Sequence, residues 1–185
     1  MSPWPSPTIF TAEGGLEVAL RPAQEEDAAG LVAHLEEVSG EGLYVGIEKA
    51  PLNEEDERQF IQRRSQQAGI LICVAEAEGA VIGMGTLFPG RFGDKDKHVG
   101  TLGMSLGPRY RELGIEGALV EYLLTWSQAA GYEKIQLEVF STNAPAVELY
   151  GRLGFQVEGV QRRAYKLQGE YVDGILMGKF LDRRR

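Results

Sequence analysis

The chain reads as an α/β fold built on a mixed sheet, and three observations point there. Short alternating or compactly apolar segments recur at residues 16–21, 70–75, 80–87 and 102–106, the mark of half-buried and buried strands. Longer stretches keep the helical period instead, as in Ala28, Leu31, Val32, Leu35 and Val38, or Ile115, Leu119, Tyr122, Leu123, Trp126 and Ala130. The order of the two, βααβββ followed by αβαββ, mixes hairpins with helical crossovers and shows no internal repeat.

Residues 1–15 read as an irregular extension, because Pro3, Pro5 and Pro7 punctuate it, although Trp4, Ile9 and Phe10 could dock it on the body or on a second subunit of a homodimer. Residues 16–21 alternate as a first strand. Glu25, Glu26 and Asp27 then place acidic side chains at a helix start, and Ser39 and Gly40 break that helix. A loop over 42–52 carries Tyr44 and Pro51. Asn53 is suited to cap a second helix that runs to about Ala68, with Glu54, Glu55 and Asp56 in its first turn and Gly69 closing it. Two apolar runs, 70–75 and 80–87, meet through Glu78 and Gly79 as an antiparallel hairpin. Residues 90–97 are polar and of mixed charge, as in an exposed, mobile loop.

In the next strand Leu102, Met104 and Leu106 alternate with Gly103 and Ser105, and Pro108 ends it. The helix that follows closes at Gly131. Strand 135–140, a short helix over 144–153, strand 155–167 and strand 171–180 complete the chain, with Gln168 and Gly169 turning between the last two. Residues 16–181 therefore make one domain, followed by a basic tail at 182–185.

Bulk properties narrow the partners. With 185 residues the chain can bury one full core. A formal net charge of -8 repels polyanions, so nucleic acid is not expected, and cationic or amine partners are favoured. Cys73 is the single cysteine, and with only His34 and His98 beside it no metal-ligand spacing appears. No apolar run approaches the roughly 20 residues of a membrane span. These features suit a soluble cytoplasmic protein.

The chemistry concentrates at two places. Residues 107–119 join a strand to a helix, so the first turn of that helix offers unpaired N–H groups and the positive end of its dipole, and Gly114 lets a phosphate approach the backbone. The spacing Arg111, Gly114, Glu116 resembles the diphosphate-binding signature of the GNAT superfamily of N-acetyltransferases. Glu116 departs from it, since that family places its smallest residues there, and Gly117 follows one place later. The carboxylate is expected to swing out to solvent. The second place is residues 143–155, where Asn143, Ala146, Leu149, Tyr150, Gly154 and Phe155 each match the family's pattern. The resemblance extends over nearly all of residues 16–181, and the stretches 164–166 and 169–173 resemble bacterial enzymes acting on amino acids, polyamines or ribosomal protein N-termini.

The resemblance implies a GNAT acyl-CoA N-acyltransferase fold. Its central sheet is mixed but mostly antiparallel and flanked by helices, with the parallel fourth and fifth strands, which end at Leu106 and Phe140, splayed apart. It implies acetyl-CoA as cosubstrate, an amine as acceptor and no metal. Met104, Ser105 and Leu106 would pair with pantetheine, while Arg111, Glu112, Leu113, Gly114, Ile115, Glu116 and Gly117 would hold the diphosphate, with Asn143, Ala146 and Tyr150 also on the cofactor. Tyr150 corresponds to the family's proton donor to the leaving thiolate. Glu138, twelve residues earlier, resembles the glutamate of the ribosomal alanine N-acetyltransferases and takes the role of base. Tyr44, Tyr165, Glu170, Tyr171 and Asp173 are candidates for the acceptor side.

Plainer readings stand beside these. Asn143 is also a good helix N-cap, Tyr150 a core tyrosine with a wet hydroxyl, Glu138 a solvent-facing strand residue and His98 simple surface. At the level of function, the alternatives to an enzyme acting on small amines are a protein N-terminal or lysine acetyltransferase and a non-catalytic CoA-binding module.

Overall fold

The computed structural model describes residues 5–42 and 53–181. In chain order the elements are β1 (Thr8–Thr11), β2 (Glu17–Pro22), α1 (Ala28–Ser39), α2 (Glu54–Ser65), β3 (Leu71–Ala77), β4 (Ala80–Pro89), β5 (Val99–Leu106), α3 (Ile115–Ala129), β6 (Lys134–Phe140), α4 (Ala144–Arg152), β7 (Gln156–Leu167) and β8 (Glu170–Phe180). The strands form one eight-stranded sheet in the order β1-β2-β3-β4-β5-β6-β8-β7. Its neighbours are antiparallel except β5 and β6, which run parallel with α3 as their crossover.

Residues 8–11, expected within an irregular extension, instead form β1 and pair from Thr8↔Leu20 to Thr11↔Glu17. Thr, Ile, Phe and Thr favour a pleated surface, and Pro5 and Pro7 stop short of the ladder, where an edge strand tolerates them. Tyr122 Oη, 3.3 Å from Ser6 O, and the Glu13 N–H, 3.1 Å from Leu113 O, fasten this segment to the body.

Local signals account for most of the element boundaries. Glu78 and Gly79, and again Gln168 and Gly169, adopt positive φ at both turn positions, the geometry that lets a two-residue turn follow the twist of its strands. Asn53 Oδ1 accepts the Asp56 N–H at 2.8 Å at the start of α2. Gln24 and Asp27 cap each other reciprocally ahead of α1.

The main core lies between the sheet and α3, with Leu87, Leu106, Ile115, Leu119, Leu123 and Ile135 fully buried. A smaller one, Ala28, Leu31, Ile61 and Val74, lies on the opposite face under α1 and α2. β3 is covered on both faces, which explains why it reads as a continuous apolar run rather than an alternation. Among the described residues, no helix is long and apolar enough to cross a membrane, and no group of three or more His, Cys, Asp or Glu could hold a metal ion.

Candidate active site

Only three ladder pairs join β5 to β6: Val99↔Lys134, Gly100↔Ile135 and Thr101↔Gln136. Past Thr101, β5 keeps β4 as far as Gly83↔Leu106, and β6 keeps β8 as far as Phe140↔Gly174. The two parallel strands therefore part and leave a wedge between them. The Gly107 N–H donates to Ile82 O at 2.9 Å. By strand alternation, the backbone of Ser105 then faces β4, while the N–H and C=O groups of Met104 and Leu106 face the wedge.

A cavity of about 280 Å³ fills the wedge, lined by Met104 from β5, Leu137, Glu138 and Val139 from β6, and Asn143, Ala146 and Tyr150 at α4. It passes through the sheet, as the register shows. Gly85 pairs with Met104, and a Cβ at Gly85 would touch Leu119 and Leu123, so this face looks to α3. Thr86 pairs with Gly103, Phe88 with Thr101 and Thr101 with Gln136, all on the α1 and α2 face, which Glu138 shares two residues beyond Gln136. Tyr150 packs in the α3-side core. Glu138 and Tyr150 thus flank one cavity from opposite faces of the sheet.

At the other end of β5 the chain enters α3 through Gly114, whose φ of 81° is open to glycine at little strain. Among the described residues, no side chain caps this helix and a Cβ at Gly114 would meet nothing within 4 Å. A Cβ at Gly117 would meet only Leu149 Cδ1, at 4.0 Å. The first-turn N–H groups of Ile115, Glu116 and Gly117 therefore open onto space that a diphosphate can enter. Ile115 is wholly buried and anchors the turn.

The Arg111 side chain lies elsewhere. Its Nε and Nη2 donate to Leu106 O at 3.2 and 3.0 Å, and its guanidinium pairs bidentately with Glu41. It closes the end of β5 instead of reaching over the helix N-terminus. Glu112 is exposed at a positive φ of 63°, and Leu113 is half-buried. Glu116 is half-buried rather than swung fully into solvent, and makes no ion pair among the described residues.

Glu138 is an unusual carboxylate. Its Oε1 is buried and has no hydrogen-bond partner among the described residues, a state that costs stability and calls for a polar visitor. Gly174 makes the position accessible, because a Cβ there would overlap Oε1 and come within 3.1 Å of the Tyr165 ring. Burial first, then the nearby Glu138, push the Tyr165 phenol up to about 12, so it stays protonated at neutral pH. Tyr165 reaches this place through a bulge in β7 between Gln161 and Tyr165. The Arg163 N–H donates to Asp173 Oδ1 at 2.7 Å across that bulge. Asp173 is in turn fixed by Ser141, whose N–H donates to Asp173 O at 2.9 Å.

Tyr150 is buried, with its ring edge-on to Phe155 at 5.5 Å. Asn143 Oδ1 accepts the Ala146 N–H at 3.3 Å, so it caps α4 while also lining the cavity. Ser105 is fully buried, its Oγ 2.8 Å from His34 Nε2, so it meets α1 and not the wedge. Glu170 and Tyr171 sit exposed at the β7–β8 hairpin, where Arg163 and Lys166 each lie 5.5 Å from the Tyr171 ring centre. Tyr44 falls outside the described residues.

Sequence reasoning missed Thr86, Phe88, Arg91 and Thr101 in the cavity lining, Gly174 under Glu138, and the His34 contact. Only the alternation of Thr86 and Phe88 with Leu87 hinted at a shared face. Burial first, and the Arg111 charge next, lower the His34 pKa to about 4 against an opposing effect of Glu41, so the ring is neutral near pH 7. A larger cavity of about 500 Å³ lies by β2 and the N-terminal prolines, but Arg21 beside it is already paired with Asp27 and Glu76. The smaller cavity is the one that gathers Glu138, Asn143 and Tyr150.

Residues 32–155 match the model of the acetyltransferase (GNAT) family. The L-amino acid N-acetyltransferase AaaT of Escherichia coli K12 is 30% identical over 122 residues, which cover 64% of this chain and 73% of that one. A GNAT-family acetyltransferase structure from Streptococcus pneumoniae superposes with a TM-score of 0.83 at 30% identity, over 89% of this chain and 99% of that one. The fold is also that of a Sinorhizobium meliloti phosphinothricin acetyltransferase solved in complex with AcCoA, with a TM-score of 0.81 at 23% identity, over 93% and 89% of the two chains.

Proposed function

Because the chain belongs to the acetyltransferase (GNAT) family, we propose that it transfers the acetyl group of acetyl-CoA directly to the primary amine of a small metabolite such as an amino acid or polyamine, in the cytoplasm. The observation that carries this reading is the wedge between β5 and β6, with Tyr150 on one face of the sheet and, on the other, a Glu138 oxygen that has no hydrogen-bond partner among the described residues. Two faces give two entrances. Acetyl-CoA would enter from the α3 side, its diphosphate on the N–H groups of residues 114–117 and its pantetheine amides along β5 at Met104, as an added strand pairs with a sheet strand. The amine would enter from the α1 and α2 side.

An amine attacks only when neutral, so Glu138 takes a proton from the ammonium. The nitrogen lone pair then forms the C–N bond at the thioester carbonyl, the nitrogen of that adduct loses its second proton to solvent, and the C–S bond breaks as the carbonyl re-forms. The Tyr150 phenol gives its proton to the departing thiolate and recovers one from solvent. Tyr165, protonated beside Glu138, would orient the amine. The AcCoA complex of the Sinorhizobium relative supports the cosubstrate, and the amino-acid activity named for the Escherichia relative supports the acceptor class.

Thiol release measured over a panel of amines and peptides tests the reading. The expected result is turnover with small amines, with Tyr150→Phe lowering kcat by about 10²- to 10⁴-fold at unchanged acetyl-CoA affinity. Peptide-only turnover would reassign the protein to macromolecular acceptors. Binding of acetyl-CoA with no turnover on any acceptor would make it a CoA-binding module.

A further inference from the structure

We propose that Arg91 selects the acceptor: its guanidinium holds the carboxylate of a free amino acid whose amine lies at Glu138. The proposal rests on the acetyl-transfer reading above and narrows its acceptor from small amines to amino acids.

Among the described residues that line the cavity between β5 and β6, two are charged, Arg91 and Glu138, and their signs are opposite. A polyamine presents cations alone, so a guanidinium beside the site repels it. An amino acid presents one charge of each sign, and both are answered. Phe88, Thr101 and Gln136 stand side by side across β4, β5 and β6 on the α1 and α2 face, the side on which the amine would enter. Glu138 lies two residues beyond Gln136 into the wedge, and Arg91 follows β4 three residues past Phe88. The acceptor would lie along that row, its amine toward the wedge and its carboxylate toward the loop after β4.

Arg91 is free for this role. It is exposed, and among the described residues it makes no hydrogen bond or ion pair. Two acids of its own loop are engaged elsewhere: Asp94 Oδ1 lies 3.0 Å from Lys97 Nζ, and Asp96 Oδ1 accepts the Phe92 N–H at 2.9 Å. A guanidinium keeps its charge throughout the working pH range, and its planar fork matches a carboxylate with two parallel hydrogen bonds.

The diphosphate is not the anion that Arg91 meets. The Gly90 N–H donates to Val99 O at 2.9 Å, which puts Arg91 beside the start of β5, whereas α3 follows the end of that strand at Leu106. At the rise of a strand those two ends stand roughly 23 Å apart.

The test is thiol-release kinetics on the wild type, Arg91→Gln and Arg91→Lys, with L-amino acids, their carboxamides, the amines left on decarboxylation, and putrescine as acceptors. Dividing wild-type by variant kcat/KM for each acceptor cancels that acceptor's own basicity. For free amino acids Arg91→Gln should lower kcat/KM about tenfold, through KM, with kcat changed by less than about twofold. For the carboxamides and decarboxylated amines the change should stay under about twofold. Arg91→Lys keeps the charge but loses the fork, and should fall between wild type and Gln on free amino acids. Acetyl-CoA affinity by calorimetry and the melting temperature should match the wild type in both variants. Equal losses on every acceptor, no loss on free amino acids, a Lys variant no better than Gln, a loss of acetyl-CoA affinity, or a wild type that prefers putrescine each overturns the role of Arg91 and leaves acetyl transfer to small amines standing. A wild type with no turnover on any small amine removes that reading and this proposal with it.

Discussion

Two helices, α3 and α4, begin beside the same cleft, and their first turns are treated in opposite ways. At α4 the Asn143 side chain accepts the Ala146 N–H and Pro145 needs no partner, so the orphan donors are partly satisfied from within the chain. At α3 the N-cap is Gly114 at positive φ, with no side chain to offer and open space where one would stand. The same backbone physics therefore yields a closed terminus at one helix and a receptive one at the other. Donors left unpaired at a long, well-packed helix lower stability slightly, and an anion that fills them recovers it on binding. Arg111 underlines the point: its side chain serves Leu106 O and Glu41, which leaves anion recognition at α3 to backbone.

The strongest way to break the contrast is to give α3 its own carboxylate. Gly114→Asp should lower acetyl-CoA affinity by about hundredfold: two unit charges about 4 Å apart repel by roughly 4 kcal/mol at an effective dielectric near 20, and solvent screening reduces this. Titration calorimetry at two salt concentrations checks it, and an unchanged affinity would move the diphosphate away from α3. Removing the cap of α4 is the complementary change. Asn143→Ala should destabilise the fold by about 1 kcal/mol, a fall of about 2 to 4 °C in Tm, with little effect on the α3 site. A loss of acetyl-CoA affinity larger than the loss of stability would show that Asn143 serves the cosubstrate as well as the helix.

The smallest effect sharpens the comparison. Glu116 places an acid in the first turn of α3, where it favours the helix dipole but opposes a bound diphosphate. Glu116→Ala should tighten acetyl-CoA binding by about fivefold or less, and the gain should shrink as salt rises. Tightening by two orders of magnitude would mean that the native seat is largely closed to diphosphate.

Much of this was legible in residue order. Period-two and helical periodicities placed strands and helices, Glu78-Gly79 and Gln168-Gly169 marked both tight turns, and the two matched stretches at 107–119 and 143–155 carried the family. Strand β1 escaped because three prolines in its vicinity outweighed four β-prone residues, and an edge strand needs only one neighbour to form. Local pattern could suggest that Arg111, Ser105 and Asp173 stand near a site, but not where their side chains turn. That depended on partners 70, 71 and 10 residues away in sequence: Glu41, His34 and Arg163.

The sequence by itself determined the kinds of element, their order and the glycine that opens α3, because propensity, turn chemistry and capping act over a few neighbouring residues. Tertiary structure alone decided that β5 and β6 part after Thr101, that Glu138 and Tyr150 meet one cavity from opposite faces, and that the bulge in β7 and the small Gly174 leave Glu138 Oε1 buried beside Tyr165 with no hydrogen-bond partner among the described residues. Each of these is a relation between segments distant in the chain, fixed by ladder register and packing, and a register is specified only once both strands are in place.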